Sequence, residues 1–221
     1  MRPFVDRANE LANLKSALRN DGEETVVFVF TGTSGVGKTA LRNAFEEQAL
    51  IPNKIPYAVL DYDGNPDVRP IDATVRSIRQ QLSTHGVRTP VFDYLYARYY
   101  ELSTGAKISS KNFPPELEGS VSILEKILGV GNVTQIIEGV SQLGLLEKER
   151  LQHKEWLYRA CELEPFEILN ILPEVLAEDL QEAMKSQTPN ILRTAGVRIC
   201  LLFDAYERIE ESQLDDALHR K

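Results

Sequence analysis

The chain has 221 residues, 43% of them apolar and 26% charged, a composition that supports a packed core and excludes a disordered, collagenous or low-complexity chain. Lys and Arg number 25 against 33 Asp and Glu, a net charge of -8 that argues against a nucleic-acid coat or an anionic-membrane binder. Cys161 and Cys200 lie far apart with no CxxC pair, which suggests neither a disulfide framework nor a cysteine zinc site and points to a reducing compartment. Met1-Arg2-Pro3-Phe4 opens no signal-peptide core, and no apolar run approaches the roughly 20 residues that span a bilayer. The expected location is the cytoplasm, with no membrane partner.

In chain order, Asp6 is the expected N-cap of a first helix whose Leu11, Leu14 and Leu18 recur at helical spacing, with Asn20-Asp21-Gly22 ending it. Thr25 to Thr31 is β-branched and aromatic and apolar through its middle, the pattern of a strand buried on both faces of a parallel sheet. It runs into a glycine loop. Leu41, Ala44, Phe45 and Ala49 mark a second helix stopped near Pro52, and Tyr57 to Asp61 reads as a second strand, completing a βαβ unit. From about Pro70 to Pro189 helical spacing dominates, with Leu82, Tyr94, Tyr99, Leu124, Leu128, Ile136, Val140, Trp156, Ile168, Leu172 and Leu176 as the expected core. Val197 to Asp204 restores the buried-strand pattern, and a last helix is expected from about Glu207 to His219. The expected organisation is a core of residues 1–69 and 196–221 interrupted by a helical subdomain at 70–195.

Gly32-Thr33-Ser34-Gly35-Val36-Gly37-Lys38-Thr39 matches GxxxxGK[ST] at every specified position, between an expected strand and an expected helix. Glycines let successive backbone N–H groups approach an anion closely, and the positive end of the following helix favours phosphate. The expected nucleotide-binding set is therefore Gly32, Thr33, Ser34, Gly35, Val36, Gly37, Lys38, Thr39 and Ala40, with Lys38 reaching the β- and γ-phosphates and the Thr39 hydroxyl joining the coordination of Mg²⁺. The second half of such a site is an acid ending another buried strand, and Asp204 is that acid, as metal ligand and catalytic group; its other reading is an N-cap of the next helix. Glu207 is the nearest candidate to orient or deprotonate water, and it reads equally as a solvated first-turn residue beside Arg208. Asp61 and Asp63, at the mouth of the second strand, are the alternative acids. Asp61-Tyr62-Asp63-Gly64 spells the DxxG of GTP switches, yet Asn53-Lys54-Ile55-Pro56 lacks the acid of a guanine-selecting NKxD and precedes DxxG. ATP is the expected nucleotide. His85, His153 and His219 have no metal-ligand spacing.

These residues resemble the STAND signal-transduction ATPases, a branch of the AAA-related P-loop proteins. Phe4-Val5-Asp6-Arg7-Ala8-Asn9-Glu10-Leu11 is similar to the FVGRExEL segment of that class, with Asp6 in place of the glycine and Ala8 in place of the first glutamate. Leu201-Leu202-Phe203-Asp204-Ala205-Tyr206-Glu207 is similar to the LLxDxYE form of its metal-binding strand. The resemblance implies an α/β fold, a P-loop NTPase parallel sheet with flanking helices and a large all-helical insertion, here at residues 104–189. It implies Arg7 beside the nucleotide, ATP and Mg²⁺ as cofactors, and an ATP-hydrolysing switch that signals by forming a homo-oligomer or engaging a protein partner, for instance in bacterial defence. It also implies that the 221 residues are the N-terminal part of a longer protein. The competing expectation is a non-catalytic nucleotide-binding scaffold whose helical insertion binds a protein partner.

Overall fold

The computed structural model describes residues 7–18, 26–31, 35–109, 111, 113–114, 117, 124, 136, 138–140, 162–185 and 198–205. The chain divides into two compact units, Met1–Arg69 with Ser186–Lys221, and Pro70–Lys185.

In the first unit, helix α1 spans Ala8–Ala17. Its N-cap is Arg7, without a side-chain cap, so the expected cap at Asp6 is corrected; Asp6 itself lies outside the described residues. Helix α2 (Lys38–Phe45) passes without a break into a π-turn over Glu46–Leu50. Strand β1 (Tyr57–Asp61) pairs in parallel with strand β2 (Cys200–Asp204), Tyr57 opposite Cys200 and Asp61 opposite Asp204. A parallel pair needs a long crossover, and here the whole second unit lies within it in sequence. The core joins the apolar stripe of α2 to α1 and one sheet face: Leu11, Leu41, Ala44, Phe45, Ala49 and Leu50 are buried, with Leu14, Ile55, Tyr57, Cys200 and Leu202 against them.

Two sequence expectations are corrected here. Val26 to Thr31 forms no strand, and Val27 and Val29 are 76% and 77% exposed; Phe30 alone of this run packs on the core. Nor is β2 buried on both faces, because Leu201 and Phe203 are exposed. Continuous apolarity marks residues that favour a covered, pleated surface, and strand formation then depends on a neighbour that supplies ladder hydrogen bonds. Among the described residues the sheet has two strands.

The second unit contains α3 (Ile71–Thr84), α4 (Pro90–Thr104) and α5 (Pro165–Lys185). Helix α5 packs against both α3 and α4. Proline opens α4 and α5 at the first helical position, where its missing N–H has no helical partner to lose. Gly105, at φ 68°, closes α4 in the left-handed region. Of the expected core, Leu82, Tyr94, Leu124, Ile136, Val140, Ile168, Leu172 and Leu176 are buried, Tyr99 is half-buried, and Leu128 and Trp156 lie outside the described residues. Arg79 and Asp93 are buried among them as a two-point ion pair, Nε to Oδ1 at 2.7 Å and Nη2 to Oδ2 at 2.6 Å.

Candidate functional site

The start of α2 is shaped by two glycines. Gly35 and Gly37 have φ of 83° and 87°, a left-handed conformation that residues with a Cβ adopt at a penalty. Gly37 is the N-cap of α2 and provides no side chain to cap the helix; its carbonyl accepts the first helical hydrogen bond, from Leu41 N–H at 3.0 Å. The first-turn N–H groups of any helix have no acceptor within it, and at this end Thr39 and Ala40 are exposed. Val36 is also exposed, and its carbonyl accepts a hydrogen bond of 3.0 Å from Arg7 Nη2. The structure thus brings Arg7 to the glycine loop across 29 residues of sequence. Gly32, Thr33, Ser34 and Glu207 lie outside the described residues.

Asp61 and Asp204 end the two strands side by side, because the parallel register pairs them. Each is fixed by the turn that follows it. Asp61 Oδ1 accepts from the N–H groups of Asp63 at 3.2 Å and Gly64 at 2.9 Å, so the DxxG segment forms an Asx-type turn. A Cβ on Gly64 would lie 3.0 Å from Asp61 Oδ2, a tight contact that would require the carboxylate to shift. Asp204 Oδ1 accepts from Ala205 N–H at 3.0 Å, with Ala205 in the left-handed region at φ 55°.

Arg42 joins these carboxylates to α2. Its Nη1 lies 3.0 Å from Asp204 Oδ2 and 3.7 Å from Asp61 Oδ2, while its Nε and Nη2 donate to Asn43 Oδ1 at 3.1 and 2.9 Å. Buried Nη1 makes no aligned hydrogen bond; its attraction to the carboxylates is that of charge. Sequence reasoning missed Arg42. The available signal was its spacing: four residues after Lys38, it occupies the same helix face one turn on.

Among the described residues, no three His, Cys, Asp or Glu side chains cluster so as to hold a metal by themselves. No helix among them is long and apolar enough to cross a membrane. Burial pushes the Cys200 thiol up to about 11, against the opposing charge of Arg198, which makes it a poor nucleophile. No family model, curated protein or solved structure matches the chain.

Proposed function

We propose that this chain binds ATP with Mg²⁺ at Gly32–Ala40 and acts in the cytoplasm as a slowly hydrolysing signalling switch, its nucleotide state controlling self-association or engagement of a protein partner. The observation that carries the reading is the opening of α2: left-handed Gly37, then Lys38 and exposed Thr39, on a helix that packs against β2 and meets its last residue, Asp204, through Arg42. A helix N-terminus without a side-chain cap favours an anion by both its N–H groups and its dipole. The donor set also suits Mg²⁺, which prefers hard oxygens and few protein ligands, here the Thr39 hydroxyl and the Asp204 carboxylate. Bound Mg²⁺ would offset the phosphate charge. Within the chain, Lys38 would steady the β- and γ-phosphates, Arg7 would brace the loop through Val36, and Glu207 would orient water for attack on the terminal phosphorus. The fold proposed around this site is the P-loop NTPase sheet, with Pro70–Lys185 as its helical insertion.

The Arg42–Asp204 contact favours a second reading, a non-catalytic nucleotide-binding scaffold, since it engages the carboxylate that would serve the metal. A thermal-shift titration with ATP, ADP and GTP in Mg²⁺ tests nucleotide binding. Adenine nucleotide at ~100 times Kd should stabilise the chain by about 2.7 kcal/mol, and Lys38→Ala should lose the shift. An equal shift in Lys38→Ala, or preference for GTP, would overturn the site or the nucleotide. Phosphate release then separates switch from scaffold, and light scattering that gives one mass with ATP, ADP and no nucleotide would overturn control of assembly.

A further inference from the structure

The geometry points to Arg42 as a built-in competitor for the metal: its single positive charge offsets part of the negative charge of Asp61 and Asp204, and Asp204 must exchange it for the Mg²⁺ that accompanies nucleotide. The inference rests on the ATP-binding reading and extends it to the chain's own control of that site.

Four features support exchange in preference to a permanent brace. The strand register sets Asp61 and Asp204 side by side, and backbone N–H groups hold one oxygen of each, leaving the two Oδ2 atoms toward Arg42. Two adjacent carboxylates repel unless a cation lies between them. Arg42 provides that cation through Nη1 alone, without an aligned hydrogen bond, so little directional bonding is lost on leaving. By contrast, Arg79 meets Asp93 in the second unit through two aligned hydrogen bonds, as a structural guanidinium–carboxylate pair does. The other edge of Arg42 is tied to its neighbour Asn43 on the same helix, so the guanidinium can leave Asp204 while keeping those bonds. The helix that presents Arg42 is the one that opens on the phosphate-binding loop, so a small rotation of α2 on binding nucleotide would move Arg42 and Lys38 together.

The test measures ATP affinity by calorimetry in EDTA and across a Mg²⁺ series, for wild type, Arg42→Gln and Arg42→Lys. Removing the competitor should lower the Mg²⁺ concentration of half effect by about tenfold in Arg42→Gln. Binding in EDTA should change far less, and Arg42→Lys should stay near wild type. Far-UV circular dichroism checks folding. If Arg42→Gln does not fold, Arg42→Met provides the test: it keeps an unbranched side chain on α2, removes the charge that faces Asp204, and should move the half effect in the same direction. An unchanged or raised half effect in the folded variant, with ATP still bound, overturns the inference, as does an Arg42→Lys that behaves like Arg42→Gln. Wild type that binds no ATP at any Mg²⁺ overturns the nucleotide reading and the inference with it.

Discussion

Single side chains in this protein show how a charge is held when water is removed. Arg79 and Asp93 are buried together, and Thr89 Oγ1 adds a hydrogen bond of 3.2 Å to Asp93 Oδ1. Taking away one partner leaves the other charge buried, an effect of roughly 3–5 kcal/mol, whereas replacing both with apolar groups is often neutral. Asp93→Ala should therefore lower the urea midpoint sharply, and Arg79→Met with Asp93→Leu should recover much of it; an Asp93→Ala protein of wild-type stability would show that the pair contributes nothing. Cys200 gives a pH prediction with a definite sign. Its ordinary value of 9.0 is raised to about 11 by burial, so on raising pH the unfolded chain loses this proton first. Stability from this group is complete below about 9 and falls as pH rises towards about 11. Tyr57 is raised as well, by burial first and then by its hydrogen bond to Glu46 and that residue's charge, and it acts with the same sign. Comparing alkaline unfolding of wild type with Cys200→Ala isolates the thiol; identical losses of stability would refute its contribution.

At the scale of elements, helix ends are completed by distant residues. The N–H of Phe92, in the first turn of α4, donates to Asp179 Oδ2 at 2.9 Å across 87 residues of sequence. A buried carboxylate on α5 thereby caps α4, where the helix dipole also favours negative charge. Asp179→Ala should destabilise the chain by about 1–3 kcal/mol, read as a lower denaturant midpoint, and an unchanged midpoint would remove the cap from the account. Helix α5 begins with local chemistry instead: the N–H of Glu164 donates to Glu167 Oε2 at 2.9 Å, one half of a capping box. The contrast explains what could be read in advance. The apolar spacing of α1 and α2 and the turn residues around β1 are local, and their boundaries follow from nearby residues. The run Val26 to Thr31 has the composition of a buried strand, yet most of it is exposed, because a strand is completed only by another strand.

For the whole molecule, the proposed site belongs to one unit, Met1–Arg69 with Ser186–Lys221, and this gives a prediction about where nucleotide is felt. In hydrogen exchange, Mg²⁺·ATP should slow the amides of α2 and β2 while those of α4 and α5 keep their rates. No slowing in α2 would remove the candidate site, and equal slowing in α4 and α5 would show that binding is felt throughout the chain. The sequence by itself determined the GxxxxGK[ST] pattern, the helical faces and the acid ending each of the two strands, since all are set by residue type and short-range spacing. Only the tertiary structure decided that Tyr57–Asp61 pairs in parallel with Cys200–Asp204, that Arg7 reaches the carbonyl of Val36, and that Arg42 faces both Asp61 and Asp204. Such contacts join residues far apart in the chain, and their strength depends on distance and on the water excluded around them, neither of which any local pattern encodes.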